Sequence, residues 1–89
     1  MAVYIDTMNA KYGRMIMCHM LADSEEELND MADIIGVARK WIQFSGTYKV
    51  HYDICLAKKA KALEAGAIEI TQQQLARLLK KKKLLLSVN

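Results

Sequence analysis

The stretch "ICLAKKAKALEAGAIEIT", residues 54–71, decides the fold that we expect for this chain. Its first twelve residues predict a helix, because their apolar side chains recur every three or four positions. Gly66 is typical of the residue that ends a helix in the left-handed conformation, and Ala67–Ile70 predicts a short strand. A helix followed at once by a strand implies a parallel crossover connection. The segment therefore predicts an α/β sheet.

Two apolar runs near the start of the chain predict further strands, at residues 2–5 and 14–20. A helix over residues 25–35 should follow, because Ser24 and Glu27 have the spacing of a capping box. The order of these elements again favours a mixed helix and strand architecture.

Three further segments complete the expected secondary structure. Residues 7–13 should be a loop, and residues 41–44 are a candidate short strand. Thr71 and Gln74 repeat the capping spacing and begin a last helix, whose inner face we expect to consist of Leu75, Leu78 and Leu79.

The expected fold is a small single α/β domain over residues 1–79, with a basic C-terminal tail at residues 80–89. We expect a three- to four-stranded, largely parallel sheet flanked by about three helices. The whole chain has 89 residues, which leaves no room for two hydrophobic cores.

Charge and composition narrow the classes of partner. Net charge is +3, but without Lys80–Lys83 nine cations face ten anions, which argues against a broad nucleic-acid-binding face. No apolar run approaches the ~20 residues that span a bilayer, and no leader precedes the first strand, so we expect a cytoplasmic protein without membrane contact. The 53% hydrophobic content is high for a small monomer and makes a homodimer one alternative.

Five acidic and imidazole groups fall near the predicted ends of strands or starts of helices: Asp6, His19, Asp23, His51 and Asp53. If the strands were parallel, these groups would converge at one edge of the sheet. Two imidazoles with carboxylates can hold a divalent metal ion, or can transfer protons near neutral pH. We select Asp6, His19, His51 and Asp53 as candidate catalytic residues and Asp23 as a candidate ligand-binding residue.

Other residues could bind a ligand beside these groups. Trp41 and Gln43 could form a wall of the site, and the helix after Asp53, with Lys58 in its first turn, could receive a phosphate. Structural explanations compete: Asp53 suits a helix N-cap, and His19 among methionines suits the margin of a core. The sequence contains no P-loop and no HExxH motif.

The motifs "VYID", "CHMLADSEEEL", "IGVARKWIQ" and "HYDI", followed by "AKKAKALEAGAIEIT", occur in this order. In these motifs the chain resembles the short phage and bacterial proteins of domain of unknown function 4031, over about residues 1–71. The resemblance implies a phage or prophage setting and a shared polar site. It adds Tyr52 and Lys59 to the candidate ligand-binding residues.

The chain departs from that family's pattern in two places. Met17 stands where an aromatic residue is expected, and Asn29–Met31 stands where His-x-aromatic is expected. An active site that used this histidine would be incomplete here.

The function that we expect is the binding of a small phosphate-containing ligand or a divalent metal, with hydrolysis as the accompanying reaction. The alternative is a non-catalytic phage accessory protein that binds a host protein, or that binds nucleic acid through Lys80–Lys83.

Overall fold

The computed structural model describes residues 2–8 and 10–87. Five strands and three α-helices are formed in the described chain, with a 3₁₀ turn at Arg39–Trp41. In chain order they are β1 (Val3–Asp6), β2 (Ala10–Tyr12), β3 (Met15–Ala22), α1 (Glu25–Ile35), β4 (Tyr52–Cys55), α2 (Leu56–Glu64), β5 (Ile68–Ile70) and α3 (Gln72–Ser87).

Strand β3 is the centre of the sheet. Strands β1 and β2 pair antiparallel with one edge of β3, and β4 pairs antiparallel with the other, so that Met20 lies between Ile5 and Tyr52. Strand β5 pairs parallel with β1, the one parallel pair among the described strands. The α/β class is confirmed, but a largely parallel sheet of three to four strands is wrong.

A tight turn explains much of this difference. Residues 7–13, expected to be a loop, contain β2, and the chain then reverses at Gly13, whose φ is +60°. Left-handed backbone of this kind costs glycine little, so β2 can fold back directly onto the start of β3.

The crossover that residues 54–71 predict is present. Strands β4 and β5 point in the same direction, since β4 is antiparallel to β3, β3 is antiparallel to β1, and β1 is parallel to β5. Helix α2 connects them. However, β3 and β1 lie between the two strands, so the crossover spans an antiparallel pair.

The two faces of the sheet have separate apolar layers. Helices α1 and α2 cover one face, whose core includes Ile5, Met20 and Tyr52. Helix α3 covers the other face through Leu75, which packs with Leu21. Successive residues of a strand point to opposite faces of the sheet. The strand residues that alternate with Ile5, Met20 and Tyr52 therefore lie on the face that α3 covers, which we call the α3 face.

Most other local expectations are confirmed, and two more are wrong. The Ser24–Glu27 and Thr71–Gln74 capping interactions are both formed. Helix α2 starts at Leu56 instead, capped by Cys55 without a side-chain hydrogen bond, so the N-cap interpretation of Asp53 is wrong. Residues 41–44 form no strand, and only the isolated bridge between Gln43 and His51 is present there. The start of α2 is later than predicted because alternate residues of β4 are buried, and this burial outweighs the helical pattern that begins at residue 54.

Helix α3 continues through Lys80–Lys83, and the Lys82 ammonium donates a hydrogen bond to the Ala22 carbonyl oxygen at 2.9 Å. Within residues 2–8 and 10–87, no helix is both long and apolar enough to cross a membrane. Whether residues 80–89 act as a separate tail stays a prediction.

Two adjacent isoleucines of α1 test this packing. Ile35 is 1% exposed and Ile34 is 65% exposed. We expect Ile35→Ala to lower the free energy of unfolding by about 3 kcal/mol, because it leaves a cavity in the core. Ile34→Ala should change it by less than ~0.5 kcal/mol. Urea denaturation of both variants measures the difference, and equal effects would contradict the assignment of the helix face.

Candidate metal centre

Two histidines and one aspartate meet on the α3 face of the sheet. His19 lies in β3, directly opposite Asp53 in β4, and His51 precedes β4 by one residue. Burial of Tyr52 and Ile54 on the other face turns residues 51 and 53 toward His19. One ligand atom from each of the three residues lies within 4.8 Å of the others.

Among the described residues, only one of the two carboxylate oxygens of Asp53 accepts a hydrogen bond. Its Oδ2 accepts a hydrogen bond from Gln43 Nε2 at 2.7 Å. Its Oδ1 is buried and has no hydrogen-bond partner in the described structure. His51 Nε2 and His19 Nε2 lie 3.5 and 3.6 Å from this oxygen, beyond the ordinary length of a hydrogen bond. A buried carboxylate oxygen without a hydrogen bond costs free energy unless another partner binds it.

Each imidazole ring is oriented by a hydrogen-bond partner at its Nδ1 atom. His51 Nδ1 lies 2.7 Å from the Lys49 carbonyl oxygen, which can only accept, so this nitrogen carries the proton. His19 Nδ1 lies 2.7 Å from Asp6 Oδ2. In the neutral rings both Nε2 atoms therefore present lone pairs toward Asp53. The ring centroids are 5.1 Å apart with an interplanar angle of 81°.

Asp6 is the fully buried carboxylate behind His19. Burial by itself raises the pKa of this carboxyl, but hydrogen bonds from the backbone and ring of His19, and from the side chain of Gln72, outweigh it and hold the pKa below its usual value. The His19 N–H donates to Asp6 Oδ1 at 2.9 Å. An ionised Asp6 accepts only, which assigns the proton of the pair to His19 Nδ1.

The segment before β4 is anchored at two points. Gln43 and His51 exchange two backbone hydrogen bonds, of 2.9 and 3.1 Å. The Glu25 carboxylate, at the start of α1, accepts from Ser45 Oγ at 2.6 Å and from the Gly46 N–H at 2.9 Å. Between these anchors Phe44 has a φ of +57°, a conformation that costs a non-glycine residue about 1 kcal/mol or more.

A pocket of about 160 Å³ opens beside the two imidazoles. Its floor is apolar, formed by Leu21 of β3 and by Leu75 and Leu79 of α3. Phe44 and Lys49 complete the lining. The pocket thus combines an apolar floor, one cation and two imidazole rings.

The structure brings together five of the residues selected from sequence: Asp6, His19, Gln43, His51 and Asp53. Their meeting point is a face of the sheet between antiparallel strands, instead of the edge that a parallel sheet would provide. Cross-strand pairing, which sequence patterns do not specify, makes this contact.

The other five selected residues lie elsewhere. Asp23 accepts from the Ala2 N–H and the Tyr4 hydroxyl, and the Tyr52 hydroxyl donates to Asn29 on the opposite face. Trp41 is 63% exposed beneath Lys40. Lys58 Nζ lies close to Gly36. Lys59 pairs with Glu69, and its ammonium reaches Asp6 only at the backbone carbonyl oxygen, at 3.5 Å. We assign none of the five to the centre.

Sequence reasoning missed Phe44 and Lys49 as residues of the site. The signal for Phe44 was available, because it is a large apolar residue next to a Ser-Gly-Thr turn that should be polar. Nothing in the sequence distinguishes Lys49 from the other lysines. Of the three leucines of the floor, Leu75 and Leu79 were identified only as inner-face residues of the last helix, and Leu21 lay just beyond the strand predicted at residues 14–20.

Comparison with known proteins gives one match. A family model described as "Protein of unknown function (DUF4031)" matches residues 3–82. No curated protein and no solved structure matches the chain significantly. The departure from the family pattern at Asn29 lies beside Tyr52, across the sheet from His19, His51 and Asp53.

The contact between Asp6 and His19 can be tested by Asp6→Asn. We expect this change to lower the free energy of unfolding by about 2 kcal/mol at neutral pH, because the amide nitrogen cannot accept the ring proton of His19. The stability that ionised Asp6 contributes is present above the usual carboxyl pKa and is lost as pH falls through its lowered folded pKa. The difference between the two proteins should therefore shrink in strong acid.

Chemical denaturation at several pH values measures this difference, with Asp33→Asn as the control. Asp33 makes an exposed ion pair with Arg39, so its loss should matter little at any pH. A penalty for Asp6→Asn that is the same at all pH values would contradict an ionised Asp6.

Proposed function

Because the chain belongs to the family of domain of unknown function 4031, whose name states no reaction, we propose its function from the geometry of the centre. The protein binds one divalent metal ion through His19, His51 and Asp53, and uses it to hydrolyse a phosphate-containing substrate. The observation that carries this proposal is the buried Asp53 Oδ1, which has no hydrogen bond and faces two imidazole nitrogens.

The two distances from the Asp53 carboxylate to the imidazoles fit a small tetrahedral ion. Zinc binds imidazole nitrogen and carboxylate oxygen at ~2.0–2.2 Å, so neighbouring ligand atoms of a tetrahedron are about 3.3–3.5 Å apart. The two separations from Asp53 Oδ1 are 3.5 and 3.6 Å. A hydrogen bond would draw these atoms closer, whereas a shared metal ion keeps them at this spacing.

The surrounding hydrogen bonds are those that metal ligands require. A ligating histidine normally donates its other ring N–H to a carboxylate or a carbonyl, which fixes the ring and strengthens its lone pair. Asp6 does this for His19, and the Lys49 carbonyl does it for His51. Gln43 holds the second oxygen of Asp53. All three ligands are therefore oriented before any ion binds.

Three protein ligands favour catalysis over a purely structural role. Structural zinc sites usually use four protein ligands, whereas catalytic sites keep one position for water or substrate. The ion would lower the pKa of a bound water toward neutrality and so supply the nucleophile. In the proposed hydrolysis a water oxygen would bond to phosphorus, the bond from phosphorus to the leaving oxygen would break, and the leaving oxygen would take up the proton that the water loses. Lys49 would offset the negative charge of the phosphate.

A second candidate function is the binding of a protein partner, either a host protein or a second copy of the chain. Three consecutive leucines near the end of α3, Leu84–Leu86, are each more than half exposed and favour it. For a homodimer held by these leucines, light scattering should give twice the 10.1 kDa mass, and Leu85→Lys should return the monomer. A wild-type monomer at high concentration would contradict that dimer.

Metal binding is tested directly by titrating Zn²⁺ into the protein in a calorimeter. We expect one ion per chain, and we expect Asp53→Asn to weaken binding by about 100-fold or more, since an amide is a poorer ligand than a carboxylate. Gln43→Ala should weaken it by about 10-fold, because it removes only the orienting hydrogen bond.

Asp30→Asn is the matched control, since this exposed carboxylate faces Arg39 and lies apart from the centre. It should bind Zn²⁺ like the wild type. Equal affinities of the wild type and Asp53→Asn would contradict the assigned ligands.

Hydrolysis is tested with bis(p-nitrophenyl) phosphate, a general phosphodiester. We expect nitrophenol release by the zinc-loaded protein, loss of release after chelation, and at least a 100-fold lower rate for Asp53→Asn. A rate that survives both chelation and this substitution would contradict metal-dependent hydrolysis.

A further inference from the structure

Lys49, one of the residues that line the pocket, belongs to a cluster of basic and aromatic side chains. Lys49, which lines the pocket, has its ammonium 5.8 Å from the centre of the half-buried Tyr48 ring. Lys83 of α3 lies 5.7 Å from the centre of the same ring. Two cations therefore lie around one aromatic ring, and one of them, Lys49, also lines the pocket beside the imidazoles of the proposed metal centre.

Phe44, another residue of the pocket lining, presents a second ring. It stacks against His51, with centroids 5.8 Å apart and an interplanar angle of 25°, yet remains 57% exposed. A phenylalanine that is exposed to this extent, and whose backbone is strained, contributes little packing free energy to the fold. Its free surface is available to stack on a flat, unpaired ring.

The size and lining of the pocket suit such a ring. A cavity of about 150 Å³ lined by apolar side chains can accept benzene, and this pocket measures about 160 Å³. Its leucine floor would contact the ring face and Phe44 its edge or opposite face. The neighbouring Lys49 would meet a negative charge attached to that ring.

Building on the proposed function, we propose that the substrate is single-stranded nucleic acid. The strand would pass Lys83, Tyr48 and Lys49, insert one base beside Phe44, and present the adjoining phosphodiester to His19, His51 and Asp53. Aromatic rings that stack on bases, together with cations that follow the backbone, are the usual composition of single-strand sites.

The distribution of charge favours a single strand over a duplex. The cations continue from Lys83 along the outer surface of α3, where Arg77, Lys80 and Lys81 line a shallow surface depression. Elsewhere the chain is near neutral, which matches one narrow track better than the wide basic face that a duplex requires. A paired base could not enter the pocket without first leaving its duplex.

The test measures the binding of a fluorescein-labelled oligothymidine of about ten nucleotides by anisotropy, at several salt concentrations, with zinc-loaded and with chelator-treated protein. The double variant Lys49→Gln, Lys83→Gln should bind more weakly. Its plot of log affinity against log salt should be shallower by about 1.4, since each single-strand phosphate contact contributes about 0.7. The control Lys11→Gln, Lys61→Gln removes the same charge from exposed positions elsewhere and should keep the wild-type slope.

The stacking interaction is tested separately. Phe44→Asn removes the ring but tolerates left-handed backbone, and should weaken binding by about tenfold. Phe44→Tyr keeps a ring and should bind like the wild type.

Zinc titration of the same variants separates this inference from the proposed function, because the lysine and Phe44 variants should still bind one ion. A wild-type protein that binds no zinc would refute the metal centre. The salt slopes would still test whether the lysines bind a single strand. Unchanged affinity and slope in the lysine double variant would overturn the inference. Equal binding of a duplex, or equal competition by thymidine monophosphate, would overturn it too.

Discussion

The pairing of β3 with β4 is the constraint on which the rest of the structure depends. It sets His19 opposite Asp53, and at the same time it buries Tyr52 and Ile54 against α1 and α2. The strand period of two means that these core contacts also decide which side chains reach the α3 face. A shift of the register by one residue would bury Asp53 in the core and expose Tyr52, so the hydrophobic core itself keeps the centre in place.

The centre is assembled from two paired strands and from the segment that precedes β4. His19 and Asp53 belong to the sheet, where backbone pairing and the buried Asp6 hold them. His51 and Gln43 come from the segment before β4, which is held by the bridge between them and by Glu25. This segment also carries the strained Phe44 and the charged Lys49. Two of the three proposed metal ligands therefore lie in the sheet and one in the segment, and Phe44 and Lys49, which we propose as substrate contacts, also lie in the segment.

Position on a face of the sheet gives the proposed site a character unlike that of a site beyond strand ends. Helix α3 crosses the same face and contributes leucines to the pocket, so water is displaced close to the imidazoles. A metal ion or a phosphate interacts more strongly where water is excluded. The same helix carries lysines after the leucines of the pocket. One helix therefore supplies both the apolar floor of the pocket and the basic residues that follow it.

Local signals in the sequence determined the elements that depend on neighbouring residues alone. Ser24 and Glu27 predicted the start of α1 to the residue, Thr71 and Gln74 did the same for α3, and residues 54–71 predicted the crossover. Capping and helix-ending glycines act within one turn, so sequence suffices for them. Asp6, His19, His51 and Asp53 could be selected by chemistry, but only the tertiary structure joined them. The direction and register of β4 against β3, and with them the role of Asp53, depend on contacts between residues more than thirty positions apart, whose free energy no local pattern contains.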